Sequence, residues 1–300
     1  MGRNYERLSI EEFGAHLLST GDLDPIYIAL SKMELDQRQL SRWLVAYWCF
    51  YHAGAACHLS DSSDAMFWGK LYEAAENVVP TPVNTRWPRG HERRHFRGQQ
   101  GLDAVKSLQE RHPSGPADMV AGFPALLGGR PSVPFSEISR RAQEERGFGP
   151  WISFKIGDML DRLGIVPVSF DQAEVFMFKD PTEAALKLWR MKAGLNEDAQ
   201  PKDRIGAITQ VVDYLRMTFK DYTAPPTHER MVDLQEIETI LCKWKSSCNG
   251  HYPPQNDTIE IRQGLEQWKS VSPTAGLMLQ CMPSVDPDAL QGLWPGRGST

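Results

Sequence analysis

The sequence predicts an all-α protein, and three observations carry that expectation. Apolar residues recur at helical spacing in one segment after another. No stretch sustains the alternation of a half-buried strand, and clusters of Pro and Gly cut the chain into helix-sized pieces. Hydrophobic residues make up 41% and charged residues 24% of the 300, the usage of a folded chain and not of a disordered one.

Taken in order, Ser9 ahead of Glu11 and Glu12 predicts an N-cap with an acidic first turn. Residues 37–57 carry Leu40, Trp43, Leu44, Tyr47, Trp48, Phe50 and Tyr51 around the whole circumference, which predicts one long buried helix. The nine residues 43–51 are the longest purely apolar run. That is far short of the ~20 that a spanning helix needs, so no membrane is expected as a partner. Ser63 opens a helix to about Asn77, and Pro80, Pro82 and Pro88 mark a loop before another helix at about 101–111. Residues 112–134, rich in Gly and Pro, read as an irregular connection. Further helices are predicted at 135–145, 150–163, 181–193, 204–219 and 232–245. Residues 271–300, with Pro273, Pro283, Pro287 and Pro295, are expected to form an irregular tail. The rest, 1–270, is expected to be a single two-lobed helical domain, with one lobe built from about 102–190.

The net charge of −5 excludes a polycation, so any nucleic-acid binding has to come from a local basic face. Residues 86–97 supply one: Arg86, Arg89, Arg93, Arg94 and Arg97, with His91 and His95, against the single acid Glu92. Five cysteines are an odd number and too few for a disulfide scaffold, which predicts free thiols and a reducing compartment. No H-x-x-x-H or C-x-x-C spacing occurs, so no catalytic metal is expected.

The sharpest motif is Gly147-Phe148-Gly149-Pro150, a very short turn between two helical patterns. Two glycines permit unusual backbone angles, and Pro150 suits the first position of a helix. Backbone N–H groups of Gly147, Phe148 and Gly149 at a helix N-terminus would face an anion such as a DNA phosphate, with Lys155 one turn on. The plain alternative is a tight corner between helices.

The run from Gly147 to Leu160 resembles the helix–hairpin–helix of the α-helical DNA glycosylase superfamily. That likeness implies a catalytic aspartate roughly a score of residues later, and Asp171 stands 22 beyond Gly149. The alternative for Asp171 is an N-cap or loop acid. Trp151 occupies the place of the lyase lysine, and the iron–sulfur cysteines are missing, so neither chemistry is implied.

A second resemblance covers more of the chain. Residues 87–101 (WPRGHERRHFRGQQG), the hairpin, residues 233–245 (DLQEIETILCKWK) and 250–254 (GHYPP) are similar to the α-glutamyl/putrescinyl-thymine pyrophosphorylase family of phages, or amino acid:DNA transferases. The resemblance implies an enzyme in the cytoplasm of an infected bacterium. Its partners would be double-stranded phage DNA carrying pyrophosphorylated 5-hydroxymethyluracil and a free amino acid or amine, which displaces pyrophosphate. Glycine is the first choice of amine because no second anion site is evident.

That chemistry assigns candidates, each with a structural alternative. Arg93, Arg94 and Arg97 suit a diphosphate clamp, Arg93 and Arg97 sharing a face if helical, or else a grip on DNA backbone. His95 could protonate the leaving group, or serve structurally. Asp171 would be the general base or face the developing cation, within a cleft cleared of water. Tyr47 and Tyr51 would wall the pocket of a flipped base, or pack the core. Lys243 would hold a carboxylate or the diphosphate, or lie on the surface, and His251 would line the cleft or shape a turn. No cofactor is expected, with room left for a monovalent cation at the hairpin. The competing functions are a monofunctional helix–hairpin–helix DNA glycosylase and a non-catalytic DNA-binding protein, since fold alone does not choose a chemistry.

Overall fold

In the computed structural model, residues 8–192, 195 and 204–286 are described. Their regular secondary structure is almost wholly helical. In chain order the helices are α1 (Ile10–Thr20), α2 (Pro25–Lys32), α3 (Gln37–Phe50), α4 (Ala53–Ser60), α5 (Asp64–Glu76), α6 (Gly98–Arg111), α7 (Pro116–Ala121) and α8 (Phe135–Gln143). There follow α9 (Pro150–Arg162), α10 (Gln172–Val175), α11 (Lys179–Met191), α12 (Arg204–Thr218), α13 (Leu234–Cys248), α14 (Asn256–Trp268) and α15 (Pro273–Cys281). The described strands are two residues each, β1 (Val133–Pro134) and β2 (Val168–Ser169), paired in parallel with Val133 opposite Val168. The fold class is all-α.

Local chemistry sets most boundaries. Ser9 and Glu12 form a reciprocal capping box at the start of α1, and Asp233 with Glu236 does the same for α13. The long helix expected over 37–57 is instead two. Tyr51 turns left-handed at φ 51°, and His52 restarts the chain by accepting the Ala55 N–H at its Nδ1, 3.2 Å away. Residues 112–134 hold α7 and a 3₁₀ turn (Pro124–Leu127) where an irregular connection was expected.

The chain divides into two compact units, and their limits differ from the expected lobe at 102–190. One comprises 29–169 with 260–282 and so contains the hairpin; the other takes the remaining described residues. In the hairpin unit α3 packs on α4 and α7, α5 on α6, and α8 on α9. Trp43, Trp48, Phe50 and Phe67 are fully buried there, each worth on the order of 2–3 kcal/mol. In the other unit α13 carries Ile237, Ile240 and Leu241 into a core shared with α1, α11 and α12. Gly14 is required there, because a Cβ would lie 2.2 Å from the Phe219 ring.

The tail expected from residue 271 begins as a helix, which corrects that expectation. Ser272 caps α15 by accepting the Ala275 N–H at 3.1 Å, and Pro273 takes the first helical position. Asp61 accepts from the hydroxyls of Ser272 and Thr274, and α15 packs on α4 through Ala275 and Met278. The prolines that suggested disorder include one that starts a helix. Residues 287–300 of the expected tail lie outside the described residues.

Candidate active site at the glycine turn

The turn between α8 and α9 is built from its base upward. Glu145 is buried and accepts from Arg141 at 2.8 Å and from His112 Nε2 at 3.0 Å, which hold its carboxyl below the usual range against the opposing effect of burial. Its carbonyl accepts the Phe148 N–H at 3.1 Å. Gly147 follows at φ 84°, a left-handed angle at which a Cβ would also press to 3.1 Å from that of Ala104. Phe148 turns its ring into the core. Gly149 then caps α9 with no side-chain partner at the cap, and the space beside it is open.

One expectation changes here. The Phe148 N–H is occupied inside the turn, so it is not a phosphate donor in this arrangement. Pro150 has no N–H. The first-turn N–H groups of Trp151 and Ile152 are among those an α-helix leaves without intrahelical partners, at the positive end of its dipole. Lys155, one turn further, is half-buried with its ammonium 5.3 Å from the Phe154 ring.

The arginine cluster separates into two kinds. Arg93, 1% exposed, donates from Nε to the Cys49 carbonyl at 3.2 Å and from Nη1 to the Gly147 carbonyl at 3.0 Å. Its guanidinium lies 5.0 Å from the Phe96 ring and 5.3 Å from that of Phe148, while Nη2 is buried without a hydrogen-bond partner. Arg93 therefore joins the end of α3 to the glycine turn and does not face solvent as a diphosphate clamp would. Arg89 is similarly engaged, donating to the carbonyls of Ala74, Trp87 and Phe96. Nor do Arg93 and Arg97 share a helix face, since a 3₁₀ turn (His91–Arg93) ends at the first and α6 begins after the second. Arg94 and Arg97 are exposed and remain available to phosphate.

His95 stands beside this junction, its Nε2 3.4 Å from Arg93 Nη1. Partial desolvation and the Arg93 charge lower its pKa, against the Gly147 backbone, which favours the neutral imidazole. An arginine can only donate, which makes Nε2 the lone-pair nitrogen. A neutral histidine can accept a proton, whereas the leaving-group role expected of His95 calls for the protonated ring.

Aromatic rings complete the corner. Trp43, Tyr47 and Tyr51 form a ladder with centroid spacings of 4.8 and 4.6 Å, and the Trp151 ring meets Tyr51 edge-on at 4.9 Å. Tyr47 is buried in this ladder, so only Tyr51 and Trp151 present surface to a base. The left-handed Tyr51 costs ~1–2 kcal/mol, and Gly90 packs directly against it. A Cβ at Gly90 would come within 2.9 Å of the Tyr51 carbonyl oxygen and 3.0 Å of its side chain. Trp151 is the member that sequence reasoning missed, because nothing local signals a contact across a hundred residues.

The other candidates belong to the second unit. Asp171 is exposed and caps α10, its carboxylate accepting the Glu174 N–H at 2.8 Å while Glu174 returns a bond to the Asp171 N–H. That is the N-cap alternative, in water and not in a dry cleft. Lys243 donates to the carbonyls of Asp22 (2.6 Å) and Leu23 (2.7 Å) and pairs with Asp257 at 2.8 Å. An ammonium has three protons, so Lys243 has none left for a substrate. Its neighbour Asp22 is fully buried, accepting from Tyr252 and Thr258. His251 is exposed in the turn after α13. Among the described residues no group of three or more His, Cys, Asp and Glu is placed to hold a metal, and no helix is long and apolar enough to cross a membrane.

Known proteins resemble this chain over most of its length. The sequence profile of the amino acid:DNA transferase family matches residues 18–251. A glycinyltransferase of Pseudomonas phage PaMx11 is 48% identical over 295 residues, covering 95% of this chain and 99% of its own. A putrescinyltransferase of Delftia phage PhiW-14 is 27% identical over 271 residues, covering 89% of this chain and 80% of its own.

Proposed function

Because this chain belongs to the amino acid:DNA transferase family, an enzyme family that transfers amines to phage DNA, we propose that its amine is glycine and its target a pyrophosphorylated 5-hydroxymethyluracil in duplex DNA. Glycine is supported by the 48% identity to a glycinyltransferase, against 27% to a putrescinyltransferase. The reaction runs in the cytoplasm of the infected host. In it the glycine ammonium loses a proton, and the free amine attacks the methylene carbon. A C–N bond forms, the C–O bond to diphosphate breaks with its electrons going to the leaving oxygen, and the new ammonium loses a second proton.

The observation that carries the site assignment is the meeting of Tyr51, Trp151, neutral His95 and the α9 N-terminus in one unit. A flipped base needs a π face, and Tyr51 with Trp151 offers one. The α8–α9 turn holds a DNA phosphate, acting as a DNA-binding helix–hairpin–helix. Arg94 and Arg97 neutralise diphosphate or backbone. His95 takes the amine proton. No metal or organic cofactor enters this scheme.

The test is the product. Protein is incubated with DNA bearing the activated base and with glycine, and the digested nucleosides are weighed. A glycine-substituted thymidine is expected; an abasic site would indicate a glycosylase, and unchanged DNA a binding protein. His95→Gln should lower turnover ~10²–10⁴-fold, and Asp171→Asn should leave it near wild type. The reverse pattern would return the base to Asp171.

A further inference from the structure

The hairpin unit contains a cavity of about 260 Å³, lined by His58, Lys70, Glu73 and Trp87 together with the loop of Val79, Pro80 and Pro82. It is smaller than the ~300–1,000 Å³ typical of drug-sized ligands, which suits a metabolite of a few heavy atoms. We infer that this cavity is the amino-acid site of the enzyme, Lys70 receiving the carboxylate and Glu73 with His58 receiving the ammonium. The inference rests on the transferase reading above and assigns the small substrate a place.

The charge pattern points to a zwitterion. Lys70 and Glu73 lie three apart on α5, so they share a helix face, and both face the cavity. Among the described residues neither makes an ion pair with the other or with a third group, although opposite charges at this spacing often do. Two unpaired charges of opposite sign on one small cavity match a molecule that carries both.

His58 supplies an acceptor. Its Nδ1 lies 3.3 Å from the Val271 carbonyl, which can only accept, so the proton resides on Nδ1 and Nε2 keeps its lone pair. Burial and the Lys70 charge both lower its pKa, which keeps that lone pair available at neutral pH. Trp87 and Trp268 flank the imidazole at 6.1 and 5.5 Å and fix its plane.

The cavity is also linked in sequence to the base-stacking corner. Trp87 lines it, and Gly90 packs on Tyr51. Three peptide steps separate these residues, a reach of at most ~11 Å between their Cα atoms. Arg89 pins the segment by donating to Ala74 on α5 and to Phe96. One short segment, residues 87–90, thus joins the cavity wall to the base-stacking corner.

The test separates the cavity from the reaction. Binding of ¹³C-glycine is followed by NMR on the full chain with unmodified duplex present, in the wild type and in Lys70→Met and Glu73→Gln. Wild-type binding weakened ~10–100-fold in each variant is expected, as for losing one charge-assisted contact. Circular dichroism checks that each variant is folded. On activated DNA the same variants should raise the glycine KM by a similar factor with kcat little changed. Lys70→Met should leave methylamine, which has no carboxylate, as good a substrate as it is for the wild type. Glycine bound equally by wild type and variants, or not bound by the wild type, would overturn the cavity assignment. Failure of wild type to yield any aminated nucleoside would instead refute the transferase reading, whatever the binding result.

Discussion

Arg93→Met removes the residue that the structure recasts most completely. Arg93 donates to two carbonyls, Cys49 and Gly147, at 3.2 and 3.0 Å, and is sandwiched between Phe96 and Phe148. Hydrogen bonds from a charged donor are worth ~1.5–3 kcal/mol each, so the gross loss is on the order of 3–6 kcal/mol. Methionine recovers part of it, because a buried cation and its unpartnered Nη2 are removed together with their desolvation cost. The net destabilisation is about 2–4 kcal/mol. At roughly 2–4 °C per kcal/mol for a chain of this size, Tm should fall by about 5–15 °C. Arg94→Met and Arg97→Met, at exposed positions, should stay within ~0.5 kcal/mol of wild type and instead weaken binding of activated DNA. Thermal denaturation of the three variants beside fluorescence titration of activated and unmodified duplex reads both quantities. An Arg93→Met protein with wild-type Tm and a selective loss of activated-DNA affinity would refute the argument and restore Arg93 as a diphosphate ligand.

Acid should destabilise the protein through His52, whose pKa burial lowers from 6.5 to about 4. The native imidazole stays neutral where the unfolded chain takes a proton, so stability is full above pH 6.5 and falls as pH drops towards 4, by about 3 kcal/mol in all. His52→Asn keeps an N-cap acceptor and should flatten that part of a urea-unfolding pH profile; an unchanged acid slope would contradict it. Gly147→Ala should cost ~1–2 kcal/mol at its left-handed angle, read as a shift in urea midpoint. Gly149→Leu, with open space at its Cβ, should stay folded and lose DNA affinity at every base sequence. Lys243→Met breaks a half-buried pair with Asp257 and two hydrogen bonds to backbone carbonyls, and should lower stability by ~2–3 kcal/mol. A stable Lys243→Met protein with a raised glycine KM would show that the lysine serves substrate after all.

What the sequence determined by itself was what near neighbours decide. The N-cap at Ser9, the burial of Trp43 to Phe50, and the turn at Gly147 to Pro150 depend on residues within about a helical turn, so spacing and residue type reveal them. The family blocks were legible for the same reason, as unbroken strings. Tertiary structure decided whatever depends on distant partners. Arg93 and Arg94 are adjacent and chemically identical, yet one is buried because the Gly147 carbonyl, 54 residues away, completes its cage. Lys243 loses its freedom to Asp22, 221 residues distant. The sequence offered Asp171 both as a catalytic acid and as a helix cap, and only the fold shows its carboxylate in water, capping a helix. A side chain's charge and reach are written in the sequence; whether its hydrogen-bonding capacity is already filled depends on which remote backbone folding brings beside it.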